Sequence, residues 1–321
     1  MHRFLVLGVA TTLTLLSATP AVAQSAAPKA YIGLFKDDAV AVFDTASEQV
    51  AKTIQVPSGP HGIVVTPDGG RVYVSSDGAS TVSVIDTSTD EIVDSIEVGK
   101  TPHGLAITPD GSRVLVAGFG TDRVLSIDTS TDRITWQAAV GRPHNMAITP
   151  DGSRAYAGSQ AGSGALVVLD MASGKELSRI PLEHAPRALA TSPDGGTLLY
   201  TLSNVDAVQV LDTASNQLLG EAPVGGSPHH PQFAGDGSLG LVVSQDPGTL
   251  DEFDIASRAP VDSIKVGTMP HWIALQGDTA LVTNEGSGDL SIVDLAQGKV
   301  VSTVPVGNAP RKIVVQPNAT P

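Results

Sequence analysis

Five of the eight histidines follow a proline at one recurring place in the chain: His61, His103, His144, His229 and His271. Arg187 and Arg311 occupy the same place in two further stretches, and His230 and Trp272 come one residue later in theirs. Imidazole titrates near neutral pH and ligates Zn, Cu, Fe and Ni, so such a set admits three chemistries. In the first it is a structural signature, each ring hydrogen-bonding a neighbouring repeat. In the second, imidazole and guanidinium donors face an anionic or polar small molecule. In the third, His61, His103, His144, His229 and His271 are candidate ligands that converge on copper, zinc or haem. Arg187 and Arg311 would oppose that cation.

Much other chemistry is excluded. The chain has no cysteine, which removes a disulfide scaffold, a thiol nucleophile, iron–sulfur ligation and thiolate metal sites. Gly99-Lys100-Thr101 resembles the end of a phosphate loop, but Asp94 stands where that loop needs glycine. No Gly-x-Ser-x-Gly elbow is present, so nothing supports a hydrolase triad of that type. The formal net charge of −14 argues against a grip on nucleic acid or anionic lipid.

Export is the expectation for the N-terminus. Arg3 provides a basic start, Phe4 to Ala18 is uncharged and mostly apolar, and Ala21-Val22-Ala23 offers a small-x-small cleavage pattern. Residues 1–23 therefore read as a signal peptide and 24–29 as a short linker. The apolar stretch is too short for a membrane span, and no cysteine follows the cleavage site for a lipid anchor. The expected product is monomeric and periplasmic or extracellular, with no membrane span.

The elements that must position the histidines come from a repeat. An aspartate ends an apolar run at Asp44, Asp86, Asp128, Asp170, Asp212, Asp254 and Asp294, at intervals of 42 residues five times and then 40. A proline keeps the same beat from Pro60 to Pro310, and Pro-Asp-Gly turns recur, as at Pro109-Asp110-Gly111. Each unit reads as four short strands rich in Val, Ile and Thr, separated by turn residues; one unit runs His103 to Thr108, Arg113 to Ala117, Arg123 to Asp128 and Ile134 to Val140. A four-stranded unit of this length is the size of a propeller blade. The fold expected is all-β, a seven-bladed β-propeller of antiparallel blades over 30–317, with a tail at 318–321. Three strands near the N-terminus precede any inner strand, and one inner strand, Arg311 to Val315, ends the chain. Together they make the closing blade, which removes exposed edges.

The phrase VYVSSDGASTVSVIDTSTDEIVDSIEVGKTPHGLAITPDGSR, with its V-x-V-I-D-T, V-G-x-x-P-H-G and x-P-D-G-S-R motifs, resembles the YVTN family of β-propeller repeats over about residues 30–317. The resemblance implies an exported bacterial propeller. Similar propellers occur in cytochrome d1-type, nitrous-oxide-reductase-type, amine-dehydrogenase-type and lactonase enzymes. No enzyme-specific motif matches here, so no catalytic residue carries over.

Closing such a ring gathers the histidine position at one mouth of the central channel, with Arg187 and Arg311. The loops between second and third strands rise on the same face and carry Asp77, Asp122, Gln160, Asn204, Asp206, Asp246 and Glu285. Pro228-His229-His230-Pro231 and His271-Trp272 depart most from the repeat and mark that sector as special. Trp272 reads either as packing at the channel rim or as an aromatic wall for a ligand. The repeating aspartates read as Asx turns. The functional expectation is a binding or scaffold protein that takes a protein partner or a small anionic or polar ligand at the channel mouth. The alternative is a copper, zinc or haem propeller with redox or hydrolytic, lactonase-like activity.

Overall fold

The computed structural model describes residues 28–317; the expected signal peptide, most of the expected linker and the tail lie outside the described residues. Seven four-stranded antiparallel sheets form the ring. Blade 1 comprises Pro60–Val65, Arg71–Ser76, Thr81–Asp86 and Glu91–Glu97, running from the channel outward, and five more blades follow in the same order. Blade 7 joins Pro310–Val315 to Lys29–Leu34, Ala39–Asp44 and Gln49–Gln55, the three-plus-one closure expected from the chain ends. Among the described residues no helix is long and apolar enough to cross a membrane.

Burial follows from radial stacking. Second and third strands such as Lys29–Leu34 and Ala39–Asp44 are almost wholly buried because both faces meet a neighbouring blade, whereas outer strands such as Gln49–Gln55 are mostly exposed. The apolar material forms seven clusters, one at each interface between blades. Tyr31, Val40 and Val42 of blade 7, for example, pack on Ile63, Val72 and Val74 of blade 1. The core is thus a ring of seven seams, and the channel wall is free to carry polar side chains.

The repeat aspartates close turns as expected. The carboxylates of Asp44, Asp86, Asp128, Asp212 and Asp254 each accept from a backbone N–H two or three residues on. Ser88, Ser130, Ser215 and Ser257 hydroxyls add to four of these turns. Such bonds hold these carboxyls below the usual range.

Candidate functional site: the histidine-lined channel mouth

Each inner strand is irregular just after its proline. The register shifts between Pro60 and Ile63, Pro102 and Leu105, Pro143 and Met146, and Pro228 and Pro231. A bulge re-aims side chains that a regular strand would send alternately to its two faces. Two successive positions are affected, the histidine position and the next. Ser75 fixes this geometry in blade 1: its hydroxyl accepts from Gly62 N–H at 2.9 Å and donates to the His103 carbonyl of blade 2. Thr201 does the same between Ala188 and His229, and Thr283 between Trp272 and Arg311. Gly62 and Gly104 are required by close approach, since a Cβ would sit 2.4 Å from the carbonyl oxygens of His103 and His144 respectively.

The histidines form two arcs. The ring centroids of His61 and His103 are 3.6 Å apart, and those of His103 and His144 4.1 Å. On the other side His229 and His271 lie 4.1 Å apart, and His61 closes toward His271 at 6.0 Å. His61, His103, His229 and His271 are buried, each under a tenth exposed. Burial, then the neighbouring cations and imidazoles, hold His61 and His271 well below the usual imidazole pKa, and His144 falls to about 4. Neutral rings can pack at these distances without charge repulsion.

Two of the rings meet the structural expectation. His103 Nδ1 donates to the His144 carbonyl at 3.2 Å, and His144 Nδ1 to the Arg187 carbonyl at 2.8 Å. A carbonyl only accepts, so His103 carries its proton on Nδ1 and leaves the Nε2 lone pair free, while His144 Nδ1 also lies 3.1 Å from the Asn145 amide nitrogen. His61, His229 and His271 differ: their Nδ1 atoms are buried without a hydrogen-bond partner.

The expected arginines are each engaged by neighbouring side chains. Arg187 Nη1 donates to Ser227 Oγ at 3.0 Å, in the next blade. Arg311 pairs with Glu285 through Nε and Nη2 at 3.1 and 3.0 Å and lies 3.4 Å over the Phe35 ring. Of the loop carboxylates, Asp77 approaches His103 (Oδ2 to Nε2, 3.7 Å) and Glu285 approaches His271 (3.9 Å). Asp77, His61 and His103 each offer a ligand atom within 4.8 Å of the others. Burial pushes the Asp77 carboxyl up to about 7, against the pull of Arg311 and Lys312. The His229–His230–His271–Trp272 sector, the most deviant in sequence, is packed differently: His230 stacks on Trp272 at 3.5 Å, and its Nδ1 accepts from Ile273 N–H at 3.3 Å.

Several residues were missed by the repeat reading. Lys312, 2% exposed, places its ammonium 4.1 Å over Trp272 and donates to Asn145 Oδ1 at 2.6 Å. Burial pulls Lys312 down to about 7. Phe35 and Phe119 flank the His61–His103 pair, at 6.4 Å from His61 and 5.8 Å from His103. Lys312 and Asn145 were findable: they replace Gly62 and Gly104 at the position after the histidine, as His230 and Trp272 do.

A family model described as a YNCE-like beta-propeller matches residues 16–154. No curated protein matches the sequence. Among solved structures, hydrazine synthase of Kuenenia stuttgartiensis superposes with a TM-score of 0.78 at 19% identity, covering 88% of this chain and 99% of that one. The dihydro-heme d1 dehydrogenase NirN in complex with DHE gives 0.68 at 16%, covering 93% and 77%. A functionally unknown protein from Desulfotomaculum acetoxidans DSM 771 gives 0.71 at 18%, covering 90% and 98%. At such identities these likenesses carry the fold alone. The seven-bladed ring, its repeat motifs and the family match over residues 16–154 all support the resemblance to YVTN-type β-propellers.

Proposed function

We propose that the protein is an exported binding propeller that receives a small polar ligand or ion at the histidine-bearing end of its channel. The observation that carries this reading is the set of buried polar atoms left without partners there: His61 Nδ1, His229 Nδ1, His271 Nδ1 and Asp77 Oδ1. An unpaired buried polar atom costs about 1–3 kcal/mol, so four on one face favour a site completed by something bound. The fold supplies the rigidity: neighbouring blades hold the two arcs in place through the bulge hydroxyls. A net charge of −14 makes nucleic acid a poor partner, and the N-terminal pattern supports export to the periplasm or beyond.

Native mass spectrometry on protein purified from the periplasmic fraction, without tag or chelator, tests the reading. A stoichiometric adduct is expected on wild type and not on His61→Ala/His271→Ala, with a mature N-terminus at Gln24. A bare protein that also shows no thermal shift with any of a panel of ions and small organic acids would overturn it and turn the search to protein partners.

A second reading, a cofactor-bearing redox or hydrolytic propeller, draws on the fold neighbour solved with DHE and on the His61–Asp77–His103 group. The His61 and His103 rings face each other at 3.6 Å with both residues buried, which favours a single ion over a haem macrocycle.

A further inference from the structure

We infer that His61, Asp77 and His103 form a binding site for one divalent first-row transition-metal ion, zinc or copper(II), which rests on the reading of the channel mouth as a ligand site. The three residues come from two blades: His61 opens the inner strand of blade 1, Asp77 follows its second strand, and His103 opens the inner strand of blade 2. Their ligand atoms lie within 4.8 Å of one another, and His103 Nε2 is 3.7 Å from Asp77 Oδ2. Bonds of about 2.0–2.1 Å in a tetrahedron set ligand atoms about 3.3 Å apart. Shifts of well under 1 Å in the imidazole–carboxylate pair therefore bring them to bonding distance.

Three independent features prepare the group for a cation. His103 Nδ1 donates to the His144 carbonyl at 3.2 Å, which leaves Nε2 as a lone pair on the side of Asp77. Metal-bound imidazoles are held in this way by a backbone carbonyl on the far nitrogen. His61 Nδ1 and Asp77 Oδ1 are buried with no hydrogen-bond partner. The two nearest cations are engaged elsewhere, Lys312 with Asn145 and the Trp272 face, Arg311 with Glu285 and the Phe35 face. An anion would meet the Asp77 carboxylate, and a hard cation such as calcium would find two nitrogens where it prefers oxygens. Three protein ligands leave at least one coordination position open to water or a further ligand.

Isothermal titration of chelator-stripped protein with ZnCl2 and with CuCl2, beside EPR of the copper form, tests the site. One saturable equivalent is expected, with copper superhyperfine splitting from two nitrogens, a measurement that needs no variant. His61→Gln, His103→Gln and Asp77→Asn should each weaken binding at least about tenfold. His184→Gln, exposed and outside the group, should not change it. No saturable binding to wild type overturns the inference, as does binding kept in His61→Gln and His103→Gln. Wild type that binds no metal yet carries an organic adduct at the mouth would overturn the metal site while leaving the binding-protein reading intact. Absence of both would sink the two together.

Discussion

Lys312 of blade 7 reaches into the channel to Asn145 of blade 3, its Nζ donating to Oδ1 at 2.6 Å. The two residues are 167 positions apart, and this bond ties together blades that share no seam. A buried lysine thus bridges the channel wall, held between an amide and the Trp272 ring. A buried ammonium is costly unless paired, and this one has a neutral partner.

Replacing that lysine should therefore help most where it is charged. Burial lowers Lys312 from 10.5 to about 7, so its cost to the fold is complete below pH 7 and fades as pH rises toward 10.5. Lys312→Met loses the Asn145 bond at every pH. Its melting temperature relative to wild type should be higher at pH 6 than at pH 10. Equal differences at both would show that the amine keeps its ordinary pKa in the folded protein.

Acid should weaken the whole ring. His61, His103, His229, His230 and His271 are held well below 6.5 by burial, and His144 at about 4. The unfolded chain takes up these protons first, so stability is lost as pH falls from 6.5 toward 4. Asp77, pushed up to about 7, acts in the opposite sense over the same window, one group against six. Calorimetry from pH 7 to 4 should show a falling melting temperature, with a shallower fall for His144→Gln. A flat or rising profile would mean that the rings are already protonated or open to water.

Gly104→Ala tests the close approach at the bulge. A Cβ there would meet the His144 carbonyl at 2.4 Å and Asn145 Oδ1 at 2.5 Å. Overpacking of this kind costs about 1–3 kcal/mol. Chemical denaturation should show that loss, and displacement of Asn145 should weaken its bond to Lys312. An unchanged midpoint would show that blades 2 and 3 can separate at the channel without cost.

Removing residues 310–321 tests the closure. Pro310–Val315 supplies the inner strand of blade 7, pairing Ala30 with Val315 and Ile32 with Ile313. Without it, Lys29–Leu34 presents an open edge and the seam beside Ile313 loses its inner layer. The truncated protein should aggregate or lose its cooperative transition by circular dichroism. A monomer with wild-type melting would show that six blades and a partial seventh suffice.

Everything that repeats was legible along the chain. Strand length, turn chemistry and the beat of aspartate and proline are local, and seven copies of one local pattern leave few folds that bury the strands on both faces. The three-plus-one closure was legible because the chain ends supply complementary parts of a blade. Which histidines would act together was not. Seven equivalent positions look alike along the chain, and only ring closure with the bulge divides them into arcs at 3.6 and 4.1 Å. The sector most deviant in sequence, His229 to Trp272, proved to be stacked on itself around Lys312. The group in which two imidazoles and a carboxylate bring ligand atoms within 4.8 Å of one another lies instead on blades 1 and 2, where the repeat is most regular. Asp77 owes its role to a side-chain approach across a blade seam, and Lys312 to a reach across the channel. Both are distances between residues far apart in sequence, set by how the blades pack.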